Sequence, residues 1–416
     1  MGSSCSSSSS AAQEDAVREV QPATVAALAR MGAELLQGLL SSPAAGQGSA
    51  FLSPLSLSLA LAMAAAGARG ATEEGILRAL CAEGGSDQLG QQMGSLSSVL
   101  ASSDPRVKFN MANAVWSKRL LKSYVKLCVG TFKAEARLEE PKAEAINKWC
   151  KTQTKDKIPQ LLDPEKLLDP EGAVLTNALY FKGEWQEKFE PLETADAEFH
   201  GAAGSSPCKM MVAKGTTDGF LYHETDTYQA AALPYGKGGY SALVLLPRAD
   251  STPTFSAFGS PGQAVPGAAG APRAASLEEV LAALPAEWPS LANPGQASAP
   301  SLTMRKGMLK LPRFKAEFGG SVRELLASRG MQVAFSAEAD FGAMSEVNLQ
   351  IEDVIHRTFV EVDEEGTTAA AATAVVMSRG LDMSPKFTMV CNRPFLFFIR
   401  HNSTNAILFA GAVRAV

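Results

Sequence analysis

The stretch Phe359–Pro385, FVEVDEEGTTAAAATAVVMSRGLDMSP, constrains this chain more than any other. Phe359, Val360, Glu361, Val362 and Asp363 mix β-branched, aromatic and charged residues with rough period-two alternation, which predicts a strand. Gly366 breaks the pattern and supplies a hinge. Thr367, Thr368, Ala369, Ala370, Ala371, Ala372 and Thr373 continue as a run of small side chains. One reading of that run is an Ala-rich helix or linker, since the chain is Ala-rich elsewhere, as at Ala64–Ala66. The other is a mobile strand. Successive side chains of a strand alternate faces, so Thr367, Ala369, Ala371 and Thr373 share a face free of bulk. Such a strand can enter an existing sheet, and strand addition is a known mode of recognition.

The run Glu364-Glu365-Gly366-Thr367-Thr368-Ala369-Ala370-Ala371-Ala372-Thr373 closely resembles the hinge of inhibitory serpins. Asn177-Ala178-Leu179-Tyr180-Phe181-Lys182-Gly183, with Trp185 and Phe189-Glu190-Pro191 after it, resembles the central-sheet signature of that family. Phe51-Leu52-Ser53-Pro54-Leu55-Ser56 resembles its buried helix start, and Asn392-Arg393-Pro394-Phe395-Leu396-Phe397-Phe398-Ile399 its C-terminal strand. The four matches lie in family order. The resemblance implies an α+β serpin fold with three β-sheets, about eight to nine helices and an exposed mobile reactive loop. It divides the chain into a Ser-rich tail over 1–16 and one domain over 17–416, with a loop insertion at 249–275 and the reactive loop at 364–385.

It also implies roles for single residues. Ser53 and Ser56 are unusual in an apolar helix, because buried hydroxyls need partners; their family counterparts lie in a hydrogen-bond cluster beneath the opening sheet, which Asn177 and His356 also match. Trp185 belongs to the upper end of that sheet. Arg313 matches a basic position that pairs with the hinge acid, so an Arg313–Glu364 ion pair is expected. The ordinary alternatives are a backbone-satisfied strand histidine at 356 and a solvated arginine at 313.

The net charge of −5 and the sequence pI of about 5.6 give no reason to expect a dominant nucleic-acid-binding face. The helix that carries the polyanion site in the family falls near Asp87–Ser102, which contains no Lys or Arg, so heparin-type activation is not expected. Six cysteines (Cys5, Cys81, Cys128, Cys150, Cys208, Cys391) show no CxxC spacing and no His clustering. Zinc, a redox motif or another cofactor is not expected, and reduced thiols fit a cytoplasmic protein. No apolar core succeeds Met1, and acids occur by Glu14, so no secretory signal is expected. Ala44–Ala68 is uncharged, but Pro54 and its serines favour a buried helix over a membrane span. Met1-Gly2-Ser3-Ser4-Cys5-Ser6 fits N-myristoylation at Gly2, with Cys5 as a second acylation site; the alternative is a plain Ser-rich tail.

Along the chain, helices are predicted at Val17–Leu40, Ser53–Ala66, from Thr72 onward, at Ser123–Thr131, Ala143–Leu161 and Ser276–Leu284. Strands are predicted at Val107–Trp116, Gly172–Lys182, as several short pieces over Met210–Pro247, at Met304–Phe314, and from Phe387 to the C-terminus. The Ala143–Leu161 helix resembles the one that crosses the front of the family's main sheet and must yield before a strand inserts.

No GxSxG, HExxH, GxxxxGK[ST] or GxGxxG motif occurs, and the four histidines form no recognisable triad motif. An enzyme is not expected. The resemblance implies a monomeric inhibitor whose loop baits a protease. Hinge-to-bond counting from Glu364 places the cut between Gly380 and Leu381; the shorter spacing places it between Arg379 and Gly380. Arg379 is the better specificity handle, because an acidic pocket can hold it by charge-assisted bonds, so Arg-directed serine or cysteine proteases are the expected partners. Val375-Val376-Met377 offers an apolar alternative. The competing class is a non-inhibitory chaperone or carrier on the same fold; such members usually carry bulky, charged or Pro residues in the hinge, and none lies between Gly366 and Ala374. A membrane-attached interaction protein is a third class.

Overall fold

The structure is a computed structural model that describes residues 17, 20–42, 48–100, 104–156, 158, 160–249, 273–292, 302–366 and 386–416. In chain order its first half comprises α1 (Pro22–Ser41), β1 (Ala50–Leu52), α2 (Pro54–Gly67), α3 (Gly70–Ala79), α4 (Ser86–Val99), β2 (Val107–Trp116), α5 (Lys122–Phe132), β3 (Glu135–Arg137), α6 (Ala143–Gln153) and β4 (Ala173–Gly183). The second comprises β5 (Ala195–Gly201), β6 (Gly204–Glu224), β7 (Tyr228–Tyr235), β8 (Tyr240–Pro247), α7 (Leu277–Ala292), β9 (Thr303–Pro312), β10 (Phe314–Ser321), α8 (Arg323–Leu326), β11 (Ile351–Val362), β12 (Phe387–Val390), β13 (Phe395–His401) and β14 (Ile407–Val413).

By hydrogen bonding the strands form two sheets, where the resemblance implies three, because nine of them join into one through the long β6. Its first part joins β5 and, through β9, β12; its last residues, Leu221–Glu224, pair with β7 and lead through β8, β13 and β14 to β1. The second sheet has five strands in the order β10-β11-β4-β2-β3. Within it β11 and β4 run parallel, flanked by antiparallel neighbours. Parallel pairing is the slightly weaker kind per residue, and the β4/β11 seam is the parallel one that lies between two antiparallel pairs in the interior of the sheet, the other being the short β2/β3 pairing at its edge.

Helix α2 is apolar on all sides and almost wholly buried, which is what a helix running under a sheet requires. Pro54 occupies its first turn, and Ser53 caps it by accepting from Ser56 N at 3.1 Å. Helix α6 packs on the opposite face of the five-stranded sheet through a separate apolar cluster that includes Ile146, Trp149, Trp116 of β2, Val174 and Ala178 of β4, and Ile355 of β11.

Several boundaries differ from the sequence reading, each for a local reason. The helix Pro22–Ser41 starts on a proline preorganised for the first turn, after a bend at Val20 that separates it from Val17, which is itself helical. The helix expected from Thr72 begins at Gly70; Thr72 is buried inside it and accepts from Asp340 N at 2.9 Å. The helix expected to reach Leu161 ends at Gln153. Thr154 Oγ1 donates to Cys150 O at 2.8 Å and accepts from Ile158 N at 3.0 Å, and Lys155 and Asp156 turn left-handed. The short helix expected to end at Leu284 runs to Ala292 through Pro285 and Pro289. Tertiary contacts hold it: Trp288 packs on Phe398 and donates to Asn405 O, while Arg400 donates to Leu291 O. The several short strands expected over 210–247 include one continuous strand of 21 residues. The single strand expected at 304–314 divides at Arg313 into β9 and β10, which belong to different sheets.

Candidate functional site

Two polar clusters lie along the β4/β11 seam. The first is beneath its middle. His356 pairs with Asn177 across the seam in the strand register. Its Nε2 accepts from Ser53 N at 2.9 Å, which leaves Nδ1 to donate to Asn177 Oδ1 at 2.5 Å. Asn177 Nδ2 in turn lies within reach of Ser56 O at 2.9 Å, of Ser56 Oγ, and of Asn113 Oδ1 at 2.5 Å. Ser53, Ser56, Asn177 and His356 are fully buried. Burial lowers the His356 pKa to about 3, so the imidazole is neutral and can accept. The set therefore joins α2 to β11, β4 and β2 in a region closed to solvent. Asn113 completes it and was missed in the sequence; the available signal was a lone Asn on the core-facing side of β2, between Met111 and Val115.

The second cluster closes the upper end of the seam. The parallel ladder stops at Phe359 and Tyr180, although β11 continues to Val362 and β4 to Gly183. Above that point the hinge root folds back. Asp363 Oδ1 accepts from Glu365 N at 3.0 Å and Gly366 N at 3.2 Å. Trp185 donates from Nε1 to Asp363 O and from its backbone to Glu365 O, both at 2.9 Å. Glu364, 5% exposed, accepts on Oε1 from Arg313 Nε at 2.9 Å, Arg313 Nη2 at 2.6 Å and Thr194 Oγ1 at 2.5 Å. Burial pushes this carboxyl upward, but the Arg313 and Thr194 hydrogen bonds outweigh it and leave its pKa below the ordinary value. Lys188 donates to Glu365 Oε2 at 2.5 Å.

Gly366 itself has φ of +140°. A Cβ there would stand 2.1 Å from Gly183 O, so only glycine fits. Trp185 stacks on Tyr235 with centroids 4.3 Å apart, which roots the cluster in β7.

The sequence-predicted residues thus fall into two groups: Ser53, Ser56, Asn177 and His356 in one, Trp185, Arg313, Glu364 and Gly366 in the other. Thr194, Lys188 and Asp363 join the second group and had no distinguishing motif. The rest of the hinge (Thr367, Thr368, Ala369, Ala370, Ala371, Ala372, Thr373), the candidate reactive bonds at Arg379, Gly380 and Leu381, and Gly2 and Cys5 lie outside the described residues. Most of the expected insertion at 249–275 does as well.

Among the described residues there is no cluster able to hold a metal, no helix long and apolar enough to cross a membrane, and five free cysteines. Burial pushes the Cys150 and Cys391 thiols up to about 12 and Cys128 to about 11, so none of these three is a thiolate at neutral pH.

Comparison with known proteins bears on what such a seam is for. The family profile "Serpin (serine protease inhibitor)" matches residues 26–258 and 272–416. The chain is 35% identical to Serpin-ZXA of Oryza sativa subsp. japonica over 408 residues, covering 91% of this chain and 94% of that protein. It is 34% identical to the leukocyte elastase inhibitor of Sus scrofa, covering 93% and 97%. Among solved structures, the thermophilic serpin tengpin in its native state superposes with a TM-score of 0.78 at 26% identity, covering 95% of each chain.

Proposed function

The chain belongs to the serpin family of serine protease inhibitors, and from that premise we propose that it traps its target protease covalently as a suicide substrate. In this reading a protease cuts the reactive loop, the hinge from Glu364 onward is released, and its small residues enter between β4 and β11 as a new strand. The new strand carries the acyl-linked protease to the far end of the sheet and distorts its active site. The observation that supports this best is the seam itself. A parallel ladder zipped only to Phe359 and Tyr180 lies beside a hinge root held by hydrogen bonds that the cut can release.

The magnitudes agree with such a device. About ten added strand hydrogen bonds at about 1 kcal/mol net each supply on the order of 10 kcal/mol. Slowing deacylation by ~10⁴-fold needs about 5.5 kcal/mol. The favoured bond is Arg379–Gly380, with Gly380–Leu381 as the alternative, and the favoured targets are trypsin-like serine proteases or Arg-accepting cysteine proteases. The chain acts in this reading as a cytoplasmic monomer. Acylation at Gly2 and Cys5 would add membrane attachment; metabolic labelling with a myristate analogue tests it, and an unlabelled wild type ends it.

The decisive experiment mixes the purified protein with trypsin and resolves the mixture on a denaturing gel. A stable band at the summed mass is expected, with the released C-terminal peptide starting at Gly380. Cleavage after Arg379 without that band would remove the trapping reading for Arg-directed serine proteases.

A further inference from the structure

Full insertion requires the β4/β11 seam to part along its whole length, and a third polar cluster stands at the end remote from the hinge. Asp353 is 4% exposed and sits at the irregularity where β11 begins to pair with β4. Its Oδ1 accepts from Ser321 Oγ at the end of β10 at 2.5 Å and from Val354 N at 2.8 Å. Its Oδ2 accepts from Lys166 Nζ.

Lys166 is not part of the sheet. It lies in the segment that leaves α6 and returns to the sheet at Ala173, the first residue of β4. That segment is pinned near its start, where Asn147 Oδ1 accepts from Leu161 N at 2.7 Å and Leu162 N at 2.8 Å. It is pinned again at its end, where Glu171 pairs with Lys118 and Arg119 just beyond β2. Between the pins, Leu161 and Leu162 join the apolar cluster containing Val174 and Ala178 on one side of the seam and Ile355 on the other. Lys166 adds the ionic tie to the β11 side.

We propose that Lys166 is a strap over the β4/β11 seam, and that lifting it from Asp353 sets the rate at which an inserting strand is completed. The proposal rests on the insertion reading above and names a positioning residue within it. The geometry makes the tie reversible. When Lys166 lifts, Asp353 keeps its bonds from Ser321 and Val354, so the carboxylate is not left without donors. What is lost is one charge-assisted bond, from a lysine side chain that is 34% exposed and can return to water.

The test uses the full chain and a synthetic acetylated peptide with the sequence of Thr367–Arg379, whose annealing into the sheet is tracked on native gels. Lys166→Met keeps the stem and removes the charge; Lys166→Arg restores the charge. The Met variant should anneal about tenfold faster than wild type, the change that about 1.4 kcal/mol makes in a barrier, and the Arg variant should return to within about twofold. A purely structural role would lower the melting temperature of the Met variant without changing its annealing rate, and that result overturns the strap alone. A wild type that takes up no peptide overturns the insertion reading and the strap with it.

Discussion

At the scale of single residues, His356 has the most measurable consequence. Its folded pKa of about 3 lies below the ordinary 6.5 because burial penalises the charged form. The unfolded chain therefore binds the proton more readily between those values. The stability contributed by the neutral ring is complete above about pH 6.5 and falls as the pH drops toward 3, by up to on the order of 5 kcal/mol. Native urea midpoints should accordingly fall between pH 7.5 and 5. His356→Gln should lower the midpoint at pH 7.5 and flatten this acid limb, with His401, held near 4 by its own burial, accounting for the remainder. An unchanged limb in the variant would remove His356 as its cause. Gly366 is the second such residue. Gly366→Ala places a Cβ against Gly183 O at an unfavourable φ, at a cost of about 1–3 kcal/mol. The variant should keep its fold yet expose the hinge to nonspecific proteases faster, as read by timed digestion.

At the scale of elements, the seam behaves as an unfinished ladder. Three ties cross or close it: the His356–Asn177 set in the middle, the Arg313–Glu364 and Trp185–Asp363 contacts at the top, and Lys166–Asp353 at the far end. Each is polar, so each can break without leaving a large hole, whereas an apolar lock would leave a cavity costing several kcal/mol. In the insertion reading, the hinge run Thr367–Thr373 has the complementary property of small side chains. Thr367→Arg should convert the inhibitor into a substrate by placing a long charged chain on a face that must be buried. Its signature is full cleavage without the covalent band and an unchanged melting temperature of the uncut protein. A variant that still traps as well as wild type would show that the face has been assigned wrongly. Helix α6 ends at Gln153 for a related reason. The segment after it lies as a strap across the sheet, and a continued helix could not take that path.

At the scale of the whole molecule, the insertion reading makes the five-stranded sheet a packing that is not the most stable one open to this chain. Cutting after Arg379 should therefore raise the melting temperature by roughly 10 °C, since each 1 kcal/mol moves a protein of this size by about 1 °C and the added strand supplies on the order of 10 kcal/mol. A cut product that melts with the intact protein would indicate a carrier whose loop does not insert. Much of this was legible in the order of residues. The apolar run of α2, the strand at 107–116, the fully buried strand β4 and the hinge composition come from periodicity and side-chain size, which are local properties. The pairing of Arg313 with Glu364 was readable only through the family resemblance. The share of Asn113 and Thr194 in the two clusters, the passage of α7 through Pro285 and Pro289, and the strap from Lys166 to Asp353 depended on tertiary structure. A polar side chain in a strand or loop carries no sign of its partner until the fold brings distant segments together, and a proline in a helix is tolerated only where packing of residues such as Trp288 compensates the lost hydrogen bond. The sequence by itself determined which segments are helices and strands and which one is small enough to insert; the tertiary structure decided what holds the seam shut, because those bonds join residues as far apart as 53 and 356.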